Sequence, residues 1–309
     1  MMEGRLEGLI PAVFTPMDSS GAVLHDRIGP YAEYLIERGV SGLFVCGSTG
    51  EGVSLTLDER RAVTERWIDA AGARLPVIVH VGALCLEDSR ALARHAAASG
   101  ARAIATIPPV VFRPRHVDDL VAACAHVAEA APETPFFYYH IPALTGVSFD
   151  VADFFEAARD RIPNLAGAKF TYEDLMDFGR CLSMEDGRYT MLFGRDEILL
   201  SALALGARGA VGTTYNFAAP LFLQTIEAFD SGDLARAREL QQRVFEMVAV
   251  LKRFGGLRAC KTVMKLIGVD LGPTRLPIVA LDETETEALR QALERIGFLG
   301  DSDLIWAST

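Results

Sequence analysis

The stretch Ser99-Gly100-Ala101-Arg102-Ala103-Ile104-Ala105-Thr106-Ile107 decides the fold. Behind it lies an alanine-rich amphipathic segment, Glu87–Ser99, and ahead of it the run Ala103–Ile107 is largely apolar on both faces. A glycine at such a junction can end a helix in the left-handed conformation without a Cβ clash. A short strand apolar on both faces belongs to a parallel sheet covered by helices. The junction recurs in Arg38-Gly39-Val40-Ser41-Gly42 and in Leu205-Gly206-Ala207-Arg208-Gly209. One helix-to-strand turn used three times implies a repeated βα unit.

Outward from that unit, strands are expected at Leu9–Phe14, Gly42–Cys46, Val77–Val81, Ala103–Ile107, Phe136–His140, Leu165–Lys169, Thr190–Gly194 and Ala210–Thr213. Helical segments such as Asp58–Ala71, Glu87–Ser99, Val117–Ala130 and Asp196–Leu205 lie between them. Alternation of this kind over about 230 residues predicts an α/β protein, a (β/α)₈ TIM barrel. A doubly wound open sheet would carry a glycine-rich dinucleotide turn after the first strand, but Phe14-Thr15-Pro16 stands there. Beyond residue 230 the strand pattern stops, and Asp233–Phe254, Leu257–Ile267 and Glu283–Ile296 read as helices. The expected organisation is a catalytic barrel over 1–230 and a C-terminal helical extension over 231–309. No low-complexity linker separates the two, so the extension should pack on the barrel.

Composition narrows the function classes. With 50% hydrophobic residues the chain can bury a large core and is not a disordered protein. The longest apolar run, Ile198 to Ala207, is ended by Arg208 well short of a membrane span. The start, Met1-Met2-Glu3-Gly4-Arg5, lacks the apolar core of a signal peptide. Five scattered cysteines without a Cys-x-x-Cys pair suit reduced thiols and a cytoplasmic location. A net charge of −11 argues against nucleic acid or an anionic membrane as partner. The same charge means that an anionic small-molecule substrate would need donors placed locally. The six histidines show no His-x-x-x-His spacing, so no metal is expected.

In a barrel, chemistry sits at the carboxyl ends of the strands. Only four of the 30 basic residues are lysines: Lys169, Lys252, Lys261 and Lys265. Lys169 is alone in the first 251 residues and ends the apolar run Leu165-Ala166-Gly167-Ala168. Burial disfavours its ammonium form, and a neutral amine can add to a ketone to give a Schiff base. A salt-bridged lysine at a strand end is the alternative. Tyr139 precedes Lys169 by 30 residues, one βα unit, which places the two on neighbouring strands at the same end. A phenol there can carry protons, or it can simply be a core aromatic. Tyr138 should face the opposite way by strand alternation. Gly47-Ser48-Thr49-Gly50-Glu51-Gly52 is not a nucleotide motif, but its hydroxyls and backbone N–H groups suit a carboxylate. It can equally be a plain tight turn. Asp196 and Glu197 can accept hydrogen bonds from sugar hydroxyls or cap the next helix.

Taken together, Gly47-Ser48-Thr49-Gly50-Glu51, Tyr139-His140-Ile141-Pro142-Ala143-Leu144-Thr145-Gly146, Gly167-Ala168-Lys169-Phe170-Thr171, Phe193-Gly194-Arg195-Asp196-Glu197 and Gly212-Thr213-Thr214-Tyr215-Asn216 resemble the dihydrodipicolinate synthase/N-acetylneuraminate lyase family. The resemblance spans nearly the whole chain and is closer to the lyase branch. It implies a class I pyruvate aldolase that needs no cofactor and is usually a homotetramer. On that resemblance Lys169 is the Schiff-base lysine and Tyr139 the proton carrier. Ser48 and Thr49 would bind the pyruvoyl carboxylate, and Thr171, Gly194, Asp196, Glu197 and Thr213 the sugar part.

Two departures bear on substrate. Leu144 stands where the synthase branch has an arginine for a second carboxylate, which disfavours the synthase reaction. Val111 stands where many members supply a tyrosine to the neighbouring subunit. The expected activity is cleavage of N-acetylneuraminate to N-acetylmannosamine and pyruvate. The rivals are an aldolase or dehydratase acting on another 2-keto-3-deoxy sugar acid, dihydrodipicolinate synthase, and a non-catalytic keto-acid-binding regulator.

Overall fold

The computed structural model describes residues 5–300. The first four residues, read above for a leader, and the last nine of the extension lie outside the described residues. Eight strands form one parallel sheet: β1 (Gly8–Pro11), β2 (Leu43–Val45), β3 (Val77–His80), β4 (Ala103–Thr106), β5 (Phe136–His140), β6 (Leu165–Phe170), β7 (Thr190–Phe193) and β8 (Gly209–Gly212). Their order around the sheet is β1-β8-β7-β6-β5-β4-β3-β2, and a parallel bridge between Ala12 and Phe44 joins its two edges. The result is the expected TIM barrel.

Among the described residues eight longer helices alternate with the strands, α1 (Ile28–Glu37), α2 (Leu57–Ala71), α3 (Leu86–Ala98), α4 (Val117–Ala128), α5 (Val151–Ala158), α6 (Leu175–Ser183), α7 (Leu199–Ala204) and α8 (Tyr215–Asp230), with one further helical turn, Pro142–Thr145, between β5 and α5. The glycine junction behaves as its sequence requires. Gly100 has φ 93°, and the amides of Gly100 and Ala101 turn back to the carbonyls of Ala97 (3.1 Å) and Ala96 (3.0 Å). This is a Schellman cap, which satisfies carbonyls the helix end would leave orphaned. Gly206 repeats it with φ 102° and the Ala207 amide on the Ala202 carbonyl at 2.9 Å.

Several strands are shorter than their apolar runs, because the chain leaves the ladder at the barrel mouth. Val81, beyond β3, keeps one bond to the Ala105 carbonyl at 2.8 Å. The segment Asp196–Leu205 is not one helix. It is a 3₁₀ turn, Asp196–Ile198, followed by α7, because the Asp196 carboxylate is drawn across to Thr214.

Strand alternation divides the core. Tyr138 faces outward under the helices, its ring 4.6 Å from that of Phe154. Tyr139 faces the barrel interior with Phe44, Ile78 and Leu192. After α8 come α9 (Leu234–Arg253), α10 (Leu257–Leu266) and α11 (Glu283–Arg295), which pack on one another and on α8. Among the described residues no helix is long and apolar enough to cross a membrane.

Candidate active site

Lys169 lies on β6, and its register partners are Tyr139 on β5 and Leu192 on β7. An odd-numbered inner face on β5 meets the same face on β6, so both side chains enter the barrel. Only 4% of Lys169 is exposed. Its Nζ sits 3.9 Å from the ring centre of Phe44 and 4.1 Å from that of Tyr139. Burial holds the amine below its ordinary value of 10.5, although Tyr139 and then Asp196 pull the other way.

The turn after β2 supplies the first hydroxyls. Ser48 Oγ is 3.5 Å from the Tyr139 hydroxyl. Thr49 Oγ1 is 2.7 Å from Thr213 Oγ1, which enters from the end of β8. The turn folds on itself, with the Glu51 amide on the Ser48 carbonyl (3.1 Å) and the Gly52 amide on the Gly47 carbonyl (3.1 Å). The amides of Ser48 and Thr49 meet no acceptor among the described residues. Two hydroxyls and two N–H donors in one turn make a receptor for a carboxylate.

The remaining candidates line the same end. The Thr171 hydroxyl, one residue past β6, is buried without a partner among the described residues. Gly194 lies against it, and a Cβ at 194 would fall 2.0 Å from Thr171 Oγ1. Asp196 is buried, and its Oδ2 accepts from the amide (3.0 Å) and hydroxyl (2.6 Å) of Thr214. Burial, and after it the charge of Glu197, raises its carboxyl above the ordinary range, while the Thr214 bonds oppose that rise. Asp196 Oδ1 also accepts from the Glu197 amide at 3.1 Å, so the carboxylate bridges the turn after β7 to the N-terminus of α8 and makes no cap bond to α7. Glu197 turns toward cations, with Lys252 Nζ and an Arg195 guanidinium nitrogen each 3.1 Å from Oε1. Burial opposes its charge, but Asp196, Arg195 and Lys252 together keep its carboxyl below the ordinary value.

Two members of the site were not picked out from sequence. Phe44 read only as part of an apolar strand, yet its ring forms one wall around the lysine. His80 is 3% exposed and packs edge-on to Tyr139, with ring centres 5.8 Å apart. Its Nδ1 lies 3.1 Å from the Cys46 carbonyl, which can only accept, so Nδ1 carries the proton. Burial first, then the neighbouring Arg60 cation, push His80 down to about 3. Arg60 is itself buried and donates to the His80 (2.6 Å) and Gly82 (2.8 Å) carbonyls. As the last residue of the otherwise apolar β3, His80 gives no signal of this in the sequence, since a lone histidine in a strand is usually just core.

Val111 is 68% exposed on the loop after β4, and Leu144 is 62% exposed on the short helix Pro142–Thr145 after β5. Among the described residues no group of three or more His, Cys, Asp or Glu side chains is placed to hold a metal ion.

Fold and site together define a (β/α)₈-barrel protein whose interior opens onto one buried lysine, ringed by a tyrosine and hydroxyls at the carboxyl ends of the strands. The chain belongs to the dihydrodipicolinate synthetase family, whose model matches residues 5–296. It is 43% identical over 300 residues to the N-acetylneuraminate lyase of Rattus norvegicus, covering 96% of this chain and 94% of that one. It is 42% identical over 305 residues to the human protein of the same name, covering 97% and 95%. The solved N-acetylneuraminate lyase of Proteus mirabilis superposes with a TM-score of 0.93 at 41% identity, covering 96% of this chain and 100% of that one.

Proposed function

We propose that this chain is a Schiff-base lyase that cleaves N-acetylneuraminate to N-acetylmannosamine and pyruvate. The observation that carries the reading is the Lys169 amine, 4% exposed between two aromatic faces and beside a phenol. The similarity to proteins named for this reaction, at 41–43% identity over nearly their full length, supports the choice of substrate.

In this reading the open-chain substrate enters with its carboxylate on Ser48 and Thr49. The neutral Lys169 amine adds to the C2 ketone, water leaves, and an iminium forms. Tyr139, assisted by the substrate carboxylate, takes the proton of the C4 hydroxyl. The C3–C4 electron pair moves onto the iminium, giving an enamine and the free aldehyde of N-acetylmannosamine. Protonation of the enamine at C3 and hydrolysis of the imine release pyruvate and restore the amine. Ser48, 3.5 Å from the Tyr139 hydroxyl, is placed to pass the proton on where Val111 offers none. Thr171, Gly194, Asp196, Glu197 and Thr213 receive the sugar hydroxyls. The imine itself is the electron sink, so this chemistry calls for no cofactor.

The same reading includes a homotetramer in a reducing, cytoplasmic setting. Exposed apolar side chains on successive mouth loops, Val53, Leu84, Val111 and Phe112, support association, and five free thiols support the compartment. The test is pyruvate release from N-acetylneuraminate against 2-keto-3-deoxygluconate. Release from the first substrate at the higher kcat/KM is expected, and release only from the second would replace this function with its nearest rival.

A further inference from the structure

The turn that carries Ser48 and Thr49 is fastened from outside the barrel. Cys46 (φ 59°) and Glu51 (φ 54°) both adopt the left-handed conformation with a side chain in place. Such residues keep that conformation only where the surroundings over-determine it. Gly52 closes the turn, since a Cβ there would lie 1.9 Å from the Cys46 carbonyl oxygen.

At Cys46 the carbonyl is held by His80 Nδ1 at 3.1 Å; at Glu51 the surroundings are a single ammonium and what it holds. Lys261, on α10 and 210 residues away, donates to Glu51 Oε1 at 2.9 Å. The side chains of this pair are 2% and 0% exposed. The same Nζ donates to the carbonyls of Thr15 (2.8 Å) and Pro273 (2.7 Å). Glu51 Oε2 accepts from the Arg275 amide at 2.7 Å. Thr15 in turn donates its hydroxyl to the Gly50 carbonyl at 2.7 Å. The C-terminal extension thus grips the two residues that follow Ser48 and Thr49: Glu51 directly, through Lys261 on α10 and Arg275 on the loop after it, and Gly50 through Thr15.

A buried ion pair is an inefficient way to gain stability, because well-packed apolar residues often do as well. What it provides is direction: charge-assisted bonds of fixed geometry around one nitrogen. We infer that Lys261 is a positioning residue that acts through Glu51 and Gly50 to hold Ser48 and Thr49 where the keto-acid carboxylate is received. The C-terminal helices are thereby coupled to substrate binding, and by linkage a bound carboxylate strengthens the same fastening. The inference rests on the proposed function and names the residue outside the barrel that sets its carboxylate affinity.

The test titrates pyruvate, with borohydride trapping, against full-length wild type, Lys261→Met and Thr15→Val, reading the fraction of Lys169 modified by mass spectrometry. Thr15→Val removes only the hydroxyl on Gly50 and leaves the ion pair intact. The half-saturating pyruvate concentration should rise about tenfold in Lys261→Met and a few-fold in Thr15→Val, with modification at saturation unchanged. Lys261→Arg, which keeps the charge, should recover part of the loss. A merely structural lysine would lower the amount modified at saturation and leave the half-saturation point where it was. Half-saturation at the wild-type concentration in folded Lys261→Met overturns the inference; if that variant does not fold, an unshifted Thr15→Val does so. Absence of an adduct on wild type removes the functional reading and this inference with it, whereas an adduct on wild type with unshifted variants removes the inference alone.

Discussion

Tyr139 and Lys169 are register partners on adjacent strands, and the lysine Nζ rests 4.1 Å above the tyrosine's own ring. Phe44 faces it from another side at 3.9 Å. Aromatic faces favour an ammonium by about 0.5–2 kcal/mol. Full burial disfavours it more strongly than the rings favour it. Burial wins here, which is why the Lys169 pKa is lowered. The rings keep water away from the amine and leave it close to the phenol.

Tyr139→Phe keeps the ring under the lysine and removes the hydroxyl that lies 3.5 Å from Ser48. Borohydride trapping with pyruvate should proceed, while kcat for cleavage falls about 10²–10⁴-fold, the range for a lost acid–base group. Steady-state kinetics and trapping on the same preparation check this. Wild-type kcat would contradict the proton-carrying role.

Thr49 and Thr213 share a hydroxyl–hydroxyl contact of 2.7 Å across the barrel mouth. Thr49→Val and Thr213→Val should each raise KM for the sugar acid. Because they share that contact, a double-mutant cycle should give an interaction of about 0.5–3 kcal/mol. Strict additivity would mean that the pair does not work as a unit.

Asp196→Asn separates the sugar end of the site from the lysine end. Cleavage of the sugar acid should lose about 10- to 100-fold in kcat/KM, as expected for a charged hydrogen-bond acceptor. Pyruvate trapping should persist. Asp196 also raises the Lys169 pKa, so its loss should carry trapping to lower pH. An acid limb that stays put, measured by trapping across a pH series, would contradict that electrostatic link.

His80 makes the fold sensitive to acid. Its ordinary value of 6.5 falls to about 3 in the folded chain, so between those values only the unfolded chain takes up the proton. The stability that follows is whole above 6.5 and is lost as pH falls toward 3. In His80→Gln the slope of stability against pH should be shallower in that window, by up to about 1.4 kcal/mol per pH unit. Urea denaturation at a series of pH values measures it, and an unchanged slope would mean that His80 is not held neutral.

Much of this site was legible before the structure. Lys169 stood out because the chain otherwise uses arginine, and Tyr139 because one βα unit separates it from Lys169. The expected inward-facing Tyr139 and outward-facing Tyr138 follow from strand alternation alone. What sequence did not yield were contacts between distant segments. The sequence shows Lys252 and Lys261 only as rare residues, and their partners Glu197 and Glu51 lie 55 and 210 residues away. Asp196 left a cap and a ligand equally open, because its bond to Thr214 crosses from β7 to β8. Phe44 and His80 were hidden by burial, since an apolar strand looks the same whether it lines a site or fills a core.

The central claim is that the Lys169 amine bonds covalently to a keto acid. Intact protein is incubated with pyruvate and borohydride, digested, and the peptides are mapped by mass. One reduced pyruvyl group on Lys169, absent from Lys169→Ala, is the predicted result. An unmodified Lys169, or a label spread over Lys252, Lys261 and Lys265, would contradict the account.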